Sequence, residues 1–126
     1  MSDNKLTELE LLLMQIFWTH GELSVPEMQK HLKEQGKTLA PSSIRTMLGI
    51  LLKKGVLTRR EHGRGFIYKA VAEQGNTQKN ILRDIINRAF NGSAFSLIST
   101  LLDDNMIKKN DLEKVKELIS EAEQGE

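Results

Sequence analysis

The sequence predicts a mainly α protein in which three helices precede a small antiparallel sheet and further helices follow it. Apolar residues recur at helical spacing through most of the chain, and the pattern changes to short alternating runs only near residues 56–70. With 39% hydrophobic and 28% charged residues, the composition is that of a globular protein. The 126 residues suffice for one ordinary domain, or for a small domain with an appendage that packs against a partner.

The first two helices have explicit start signals. Thr7 and Glu10 match a capping box, in which a hydroxyl residue and a glutamate three residues later satisfy the backbone amides at a helix start. Ser24 and Glu27 repeat the pattern for the second helix. The first helix is expected to end at Gly21, and its buried stripe to comprise Leu9, Leu12, Leu13, Ile16 and Phe17.

A third helical pattern runs from Pro41 to a stop signal at Gly55, after the second helix ends near Gln35. Its apolar face comprises Ile44, Met47, Leu48, Leu51 and Leu52. The opposite face carries Ser42, Ser43, Arg45, Thr46, Gly49 and Lys53. These residue types suit DNA, since arginine bonds guanine bidentately, hydroxyls bond bases or phosphates, and a threonine methyl contacts a thymine methyl. The alternative is a solvated helix face that carries one arginine.

From Val56 onward the pattern predicts a β-hairpin, whose strands LTRRE and FIYKA are joined by the four residues 62–65. The segment Leu23–Ser24 is placed to add a short third strand. The hairpin cations expected to reach phosphates are Arg59, Arg60, His62, Arg64 and Lys69. The alternative is a solvent-facing hairpin whose charges keep its edge from aggregating.

Charge is concentrated in the third helix and the hairpin. Between Lys37 and Lys69 the chain carries eight Lys or Arg and one acid, a local charge of +7, whereas the whole chain carries +1. A concentrated basic face indicates a nucleic-acid binder. Three helices followed by a hairpin with a basic glycine turn is the order of a winged helix-turn-helix, whose third helix enters the major groove. We therefore predict a winged-helix DNA-binding domain over residues 1–72.

Residues 73–126 are predicted to form a helical dimerisation domain. Ser93 is expected to cap one short helix, and Asn110 with Glu113 to open the last. A fragment this small cannot easily bury its apolar stripes alone, and a two-fold dimer covers them. The residues expected at the dimer interface are Ile85, Ile86, Phe90, Phe95, Ile98, Leu101, Leu102, Val115 and Ile119.

No cofactor, metal site or catalytic site is predicted. The chain has no cysteine, and His20, His31 and His62 lack a ligand spacing. There is no phosphate loop, nucleophile elbow or convincing acid pair, so we do not expect an enzyme. No apolar stretch reaches the roughly 18 residues of a membrane span and no signal peptide is evident, so a cytoplasmic location without membrane contact is expected.

Three stretches resemble the penicillinase-repressor family of the BlaI, MecI and CopY type, namely LTELELLLMQIFW, PSSIRTMLGILLKKGVLTRREHGRGFIYKA and FNGSAFSLISTLLDD. The resemblance spans roughly Leu6 to Ile119. The family pattern of two small hydroxyl residues, an aliphatic residue, any residue, threonine and leucines falls on Ser42, Ser43, Ile44, Arg45, Thr46, Leu48 and Leu51. Its wing pattern falls on Gly63, Arg64, Phe66, Ile67 and Tyr68.

The resemblance implies a homodimeric repressor that binds inverted-repeat operators and controls genes for antibiotic resistance or metal handling. Resistance repressors of this family are inactivated when a membrane sensor triggers cleavage of an Asn–Phe bond. Alignment places that bond at Thr100–Leu101, so this chain lacks the Asn–Phe pair. Whether a regulatory protease or sensor protein acts on this chain is therefore left open by the resemblance. Copper-responsive members carry a C-terminal cysteine cluster, which this chain also lacks.

The rival interpretation is a winged helix that serves as a protein-interaction module without specific DNA binding, because a fold alone does not fix a function. It requires an exposed apolar patch on the third helix, for which Ile50 is the candidate. A sensor of small molecules or metals requires a polar pocket or a ligand cluster, which the sequence does not indicate.

Overall fold

The computed structural model describes residues 5–125, and this part of the chain contains six helices and one two-stranded antiparallel sheet. In chain order the elements are α1 (Glu8–His20), α2 (Val25–Glu34), α3 (Pro41–Lys53), β1 (Leu57–His62), β2 (Gly65–Ala70), α4 (Gln74–Ala89), α5 (Ala94–Asp103) and α6 (Lys109–Gln124). The predicted order of three helices, a hairpin and further helices is confirmed. The chain divides into two compact units, one up to Ile81 and one from Leu82. The domains predicted over 1–72 and 73–126 stay a proposal.

Both predicted capping boxes are present. The Thr7 hydroxyl accepts a hydrogen bond from the Glu10 amide at 3.2 Å, and the Glu10 carboxylate accepts one from the Thr7 amide at 3.0 Å. Ser24 and Glu27 repeat this exchange at 3.3 and 2.8 Å. The starts of α1 and α2 are therefore fixed by local sequence alone.

The core of the first unit lies between α1, α2, α3 and the inner face of the sheet. Its largest fully buried side chains are Phe17, Leu13, Met14, Ile16, Met28, Leu32, Ile44, Leu48 and Leu51. The predicted stripe on α1 is partly wrong, because Leu9 and Leu12 are only half-buried and Met14 is buried instead. Glu10, which is 5% exposed, lies one helical turn before Met14 on the same buried face.

The hairpin pairs β1 with β2 from Leu57↔Ala70 to His62↔Gly65. The predicted four-residue connection is wrong, since both strands are longer and the loop is only Gly63–Arg64. Gly63 has φ +61°, as a two-residue turn with glycine at its first central position requires. The predicted third strand exists as a single bridge, in which Leu23 exchanges backbone hydrogen bonds of 2.9 and 2.8 Å with Tyr68.

The chain that leaves the sheet is tied back to the helices. The Trp18 indole N–H donates to the Ala72 carbonyl at 2.9 Å, and the Val56 carbonyl accepts from the Val71 amide at 3.0 Å. Tyr68 is 3% exposed and Trp18 packs against the core. Both aromatic side chains are therefore packing residues of the first unit.

The second unit contains α5, α6 and the end of α4. Ser93 caps α5 as predicted, and its hydroxyl accepts from the Ser96 amide at 3.0 Å. The predicted start of α6 at Asn110 is wrong, because Lys108 is the N-cap and the Glu113 carboxylate accepts from the Lys116 ammonium at 3.1 Å. No residue of these helices or of α4 is fully buried. None of the helices between residues 5 and 125 is long and apolar enough to cross a membrane.

Candidate nucleic-acid interface

The helix α3 is held in place at both ends and along one face. Before its start, the Gln29 side-chain amide donates to the Leu39 carbonyl at 2.9 Å. After its end, the Lys54 ammonium donates to the Glu10 carboxylate at 2.6 Å and to the Lys5 carbonyl at 2.7 Å. Its inner face is fully buried, as three side chains are 0% exposed: Ile44, Leu48 and Leu51. These contacts fix which face of α3 points outward.

The outward face of α3 carries the residues that the sequence predicted to contact DNA. Gly49 is half-buried, and the exposed members of the set are Ser42, Ser43, Arg45, Thr46 and Lys53. Steps of three and four residues align them along the helix. The helix contains no acidic residue, so the charge of this face comes from Arg45 and Lys53 and is positive.

The first turn of α3 lacks the side-chain cap that α1 and α2 possess. Pro41 is its first residue, and Ala40 at the N-cap offers no side-chain acceptor to the backbone amides. Amides at a helix start carry a partial positive charge and can donate to an anion such as phosphate. The start of α3 thus adds to the positive potential of its outward face.

The pleat of the hairpin divides the predicted phosphate contacts between two faces. Side chains alternate along a strand, so Arg59 shares a face with the buried Leu57 and Tyr68. Arg60, His62 and Lys69 lie on the opposite face. The five predicted cations therefore do not form one continuous face of the hairpin.

The hairpin β1–β2 is the wing, and two of its three arginines contact other side chains of the protein. The Arg59 guanidinium carbon lies 3.9 Å from the centroid of the Phe66 ring, a cation–π contact. The Arg60 guanidinium donates to the Glu22 carboxylate at 2.9 Å. Arg64 lies in the exposed turn, at the tip of the hairpin. Arg64 is therefore the wing cation best placed to reach outward.

Sequence reasoning missed the roles that four residues have in shaping this site. Phe66 and Glu22 orient Arg59 and Arg60, and neither role has a sequence signal. Glu10 was found as a capping residue, but its ion pair with Lys54 joins residues 44 positions apart. The sequence gives no signal for this role of Lys54.

Two of the three histidines, His20 and His31, lie in contact with each other. The rings of His20 and His31 stack with centroids 3.8 Å apart, and His31 Nδ1 lies 3.3 Å from the Glu34 carboxylate.

Hydrogen bonds from the Ser24 amide and hydroxyl hold the pKa of Glu27 below its ordinary value, and the nearby His31 and His62 lower it further. Within residues 5–125 no three acidic or histidine side chains are grouped so as to hold a metal ion.

Three helices, a two-stranded wing and a cationic third helix define a winged-helix protein. The chain belongs to the penicillinase repressor family, whose model matches residues 6–121.

Individual relatives agree with this assignment. The chain is 26% identical to the penicillinase repressor of Bacillus licheniformis over 117 residues, which cover 93% of this chain and 91% of that protein. It is 24% identical over 121 residues to the methicillin resistance regulatory protein MecI of Staphylococcus aureus (strain N315), covering 94% and 98%. The solution structure of the DNA binding domain of the repressor BlaI matches 60% of this chain and 90% of that chain, with 31% identity and a TM-score of 0.52.

Proposed function

We propose that this protein is a DNA-binding transcriptional repressor that occupies a palindromic operator as a homodimer, with α3 of each copy in a major groove. The observation that carries the proposal is the outward face of α3, which is exposed, free of acids and cationic, on a helix anchored at both ends. The names of the relatives support the class, since both are regulators and one is a repressor.

In this proposal α3 supplies sequence choice. Arg45 bonds the O6 and N7 atoms of a guanine, while Ser42 and Ser43 at the start of the helix lie nearest to the bases or to the flanking phosphates. Lys53, one helical turn after Gly49, neutralises a phosphate. The burial of Ile44, Leu48 and Leu51 keeps these side chains directed outward.

The wing supplies affinity and register rather than sequence choice. Arg64 at the tip contacts phosphate, and His62 and Lys69 extend the cationic surface along one face of the hairpin. Arg59 and Arg60 contribute less, because Phe66 and Glu22 already engage them.

A second copy of the chain covers the apolar surface of the second unit. Its large apolar side chains are open to solvent in one copy, with 79% of Phe95, 45% of Ile98 and 47% of Leu102 exposed. Exposed apolar surface of this extent marks an interaction site. A two-fold dimer covers the same patch on both copies and presents two α3 helices to two half-sites.

Release by a regulatory protease, if this chain uses one, requires local unwinding of α5. The Thr100–Leu101 bond, which aligns with the cleaved bond of the resistance repressors, lies inside this helix. The Thr100 hydroxyl donates to the Ser96 carbonyl at 3.0 Å, which closes that turn.

The test is selection of bound duplexes from a random library with the full chain, followed by affinity measurements at several salt concentrations. The expected result is an inverted repeat whose half-sites lie one or more helical turns apart, roughly 10 bp each, bound with strong salt dependence. Absence of any enriched sequence, together with affinity that salt does not change, would favour a protein-interaction module instead.

A further inference from the structure

The middle of the outward face of α3 carries an uncharged patch. Thr46, Gly49 and Ile50 stand at positions i, i+3 and i+4, so they are neighbours on the helix surface. Ile50 is 40% exposed, a large fraction for an isoleucine on a helix whose opposite face is fully buried. Arg45 and Lys53 lie on either side of these three residues along the chain. We call Thr46, Gly49 and Ile50 the apolar patch.

The fold of the chain itself does not account for Gly49. A Cβ added at this position would meet no atom within 4 Å, and its backbone is helical rather than left-handed. Glycine weakens a helix interior relative to alanine. The absence of a side chain leaves the α3 backbone open at this point to close approach by another molecule.

Thr46 offers an apolar group to that molecule. Its hydroxyl donates to the Ser42 carbonyl at 3.1 Å, so the hydroxyl hydrogen is already used within the helix. The γ-methyl group, the open surface at Gly49 and the side chain of Ile50 then form a surface without a free side-chain donor.

The charges around the apolar patch favour DNA over an apolar protein segment as its occupant. The helix has no acidic residue, and the cations Arg45 and Lys53 flank the apolar patch. In the major groove of DNA the apolar group at a base edge is the C5 methyl group of thymine.

We propose that the apolar patch binds the C5 methyl group of a thymine in the major groove, so that α3 selects an A·T pair beneath its midpoint. This inference rests on the proposed function and adds a specificity to it. In this proposal Arg45 recognises its base by hydrogen bonding, whereas the apolar patch recognises a thymine by van der Waals contact. The apolar patch also excludes base edges that require a hydrogen-bond donor from the protein.

The experiment uses the full chain and the duplex recovered by selection from the random library. Each thymine is replaced in turn by deoxyuridine, which removes only the methyl group. One position in each half-site should lose about fourfold in affinity, the value of one buried methyl group. With Ile50→Ala the same replacement should have much less effect. Val71→Ala, at a residue 52% exposed outside α3, is the matched control and should keep the full loss.

Gly49→Ala separates a binding role from a structural one. Alanine should raise the melting temperature, because it favours the helix and meets no atom in the chain, yet it should lower affinity for the selected duplex at least tenfold. Gly75→Ala in α4, also with no atom within 4 Å, should keep affinity unchanged.

Two negative outcomes are distinguishable. If no sequence is selected, the proposed function fails, and this inference fails with it. The second outcome is a selected duplex in which no thymine methyl group makes a contribution to affinity that Ile50→Ala removes, or a Gly49→Ala variant that binds that duplex as tightly as the natural chain. Either result would refute the proposed role of the apolar patch and leave the proposed function standing.

Discussion

The ammonium group of Lys54 lies 2.6 Å from the carboxylate of Glu10. Both side chains are largely shielded from water, since 19% of the Lys54 side chain and 7% of the Glu10 side chain are exposed. Glu10 caps the start of α1, and Lys54 is the residue that follows α3. One ion pair therefore ties the candidate DNA-reading helix to the first helix of the domain. The same ammonium donates to the Lys5 carbonyl, so its charge is doubly satisfied.

Glu10→Gln should reduce the free energy of unfolding by about 2 kcal/mol, because it leaves the Lys54 charge without its partner in a shielded site. Urea denaturation at neutral pH measures this loss. Glu27→Gln is the matched control, since Glu27 holds the same position in an exposed capping box and glutamine also completes such a box. Equal losses in the two variants would show that Lys54 contributes nothing beyond the cap.

Stability should fall in acid through the capping glutamates. Burial acts to raise the pKa of Glu10, but the hydrogen bond from Lys54, the bond from the Thr7 amide and the Lys54 charge together lower it. The folded state thus releases this proton more readily than the unfolded chain. The stabilisation is complete above the ordinary glutamate pKa of about 4.3 and is lost as pH falls through the lower folded-state pKa.

Urea midpoints measured from about pH 7 to about pH 3 should show this decline. Glu10→Gln should flatten the pH dependence, since glutamine does not titrate. An unchanged slope in this variant would assign the decline to other carboxylates.

Arg45→Ala should cost about 1 to 3 kcal/mol of binding free energy on the selected duplex and relax the preference at one base position. The measurement compares affinity for the selected duplex with affinity for random DNA. Arg88→Ala, which removes an exposed arginine paired with Asp84 on α4, controls for net charge. An equal loss on both DNAs would show that Arg45 contacts only phosphate.

Arg64→Ala should weaken binding to all sequences and reduce the slope of log affinity against log salt by about one, as expected for one lost phosphate contact. Arg60→Ala should change the slope less, because Glu22 already partners that guanidinium. Salt titrations of both variants make the comparison. A larger change for Arg60 than for Arg64 would contradict the proposed orientation of the wing.

Phe95→Asp and Ile98→Asp should each produce monomers with weakened operator binding, since a carboxylate would be buried in the apolar contact between copies. Analytical ultracentrifugation of the variants measures the oligomeric state. Val71→Asp places the same charge on an exposed apolar residue in the first unit and should leave the dimer intact. Dimers that survive both changes in α5 would refute this interface.

The fold was predictable where the signal is local. The capping boxes at Thr7 and Ser24 depend on residues three positions apart, and the start of α5 at Ser93 follows the same rule. Local rules failed where two solutions compete. Asn110 and Glu113 match a cap, yet Glu113 bonds Lys116 instead and the helix begins earlier.

The candidate site was predictable only in outline. Helical spacing placed Arg45 and Lys53 on one face, but the partners of the wing arginines depend on the packed structure. Glu22 is 38 positions from Arg60 in sequence. No spacing rule joins residues so far apart, and only the folded chain brings them together.

The bond between the Trp18 indole and the Ala72 carbonyl has an optical consequence. Trp18 is the one tryptophan of the chain, and its N–H donates to the carbonyl of Ala72, which lies in the short connection between the end of β2 at Ala70 and the start of α4 at Gln74. Its emission therefore reports the state of that junction without a label. Loosening of the junction shifts the spectrum toward that of a hydrated indole, even where the helical circular dichroism is unchanged.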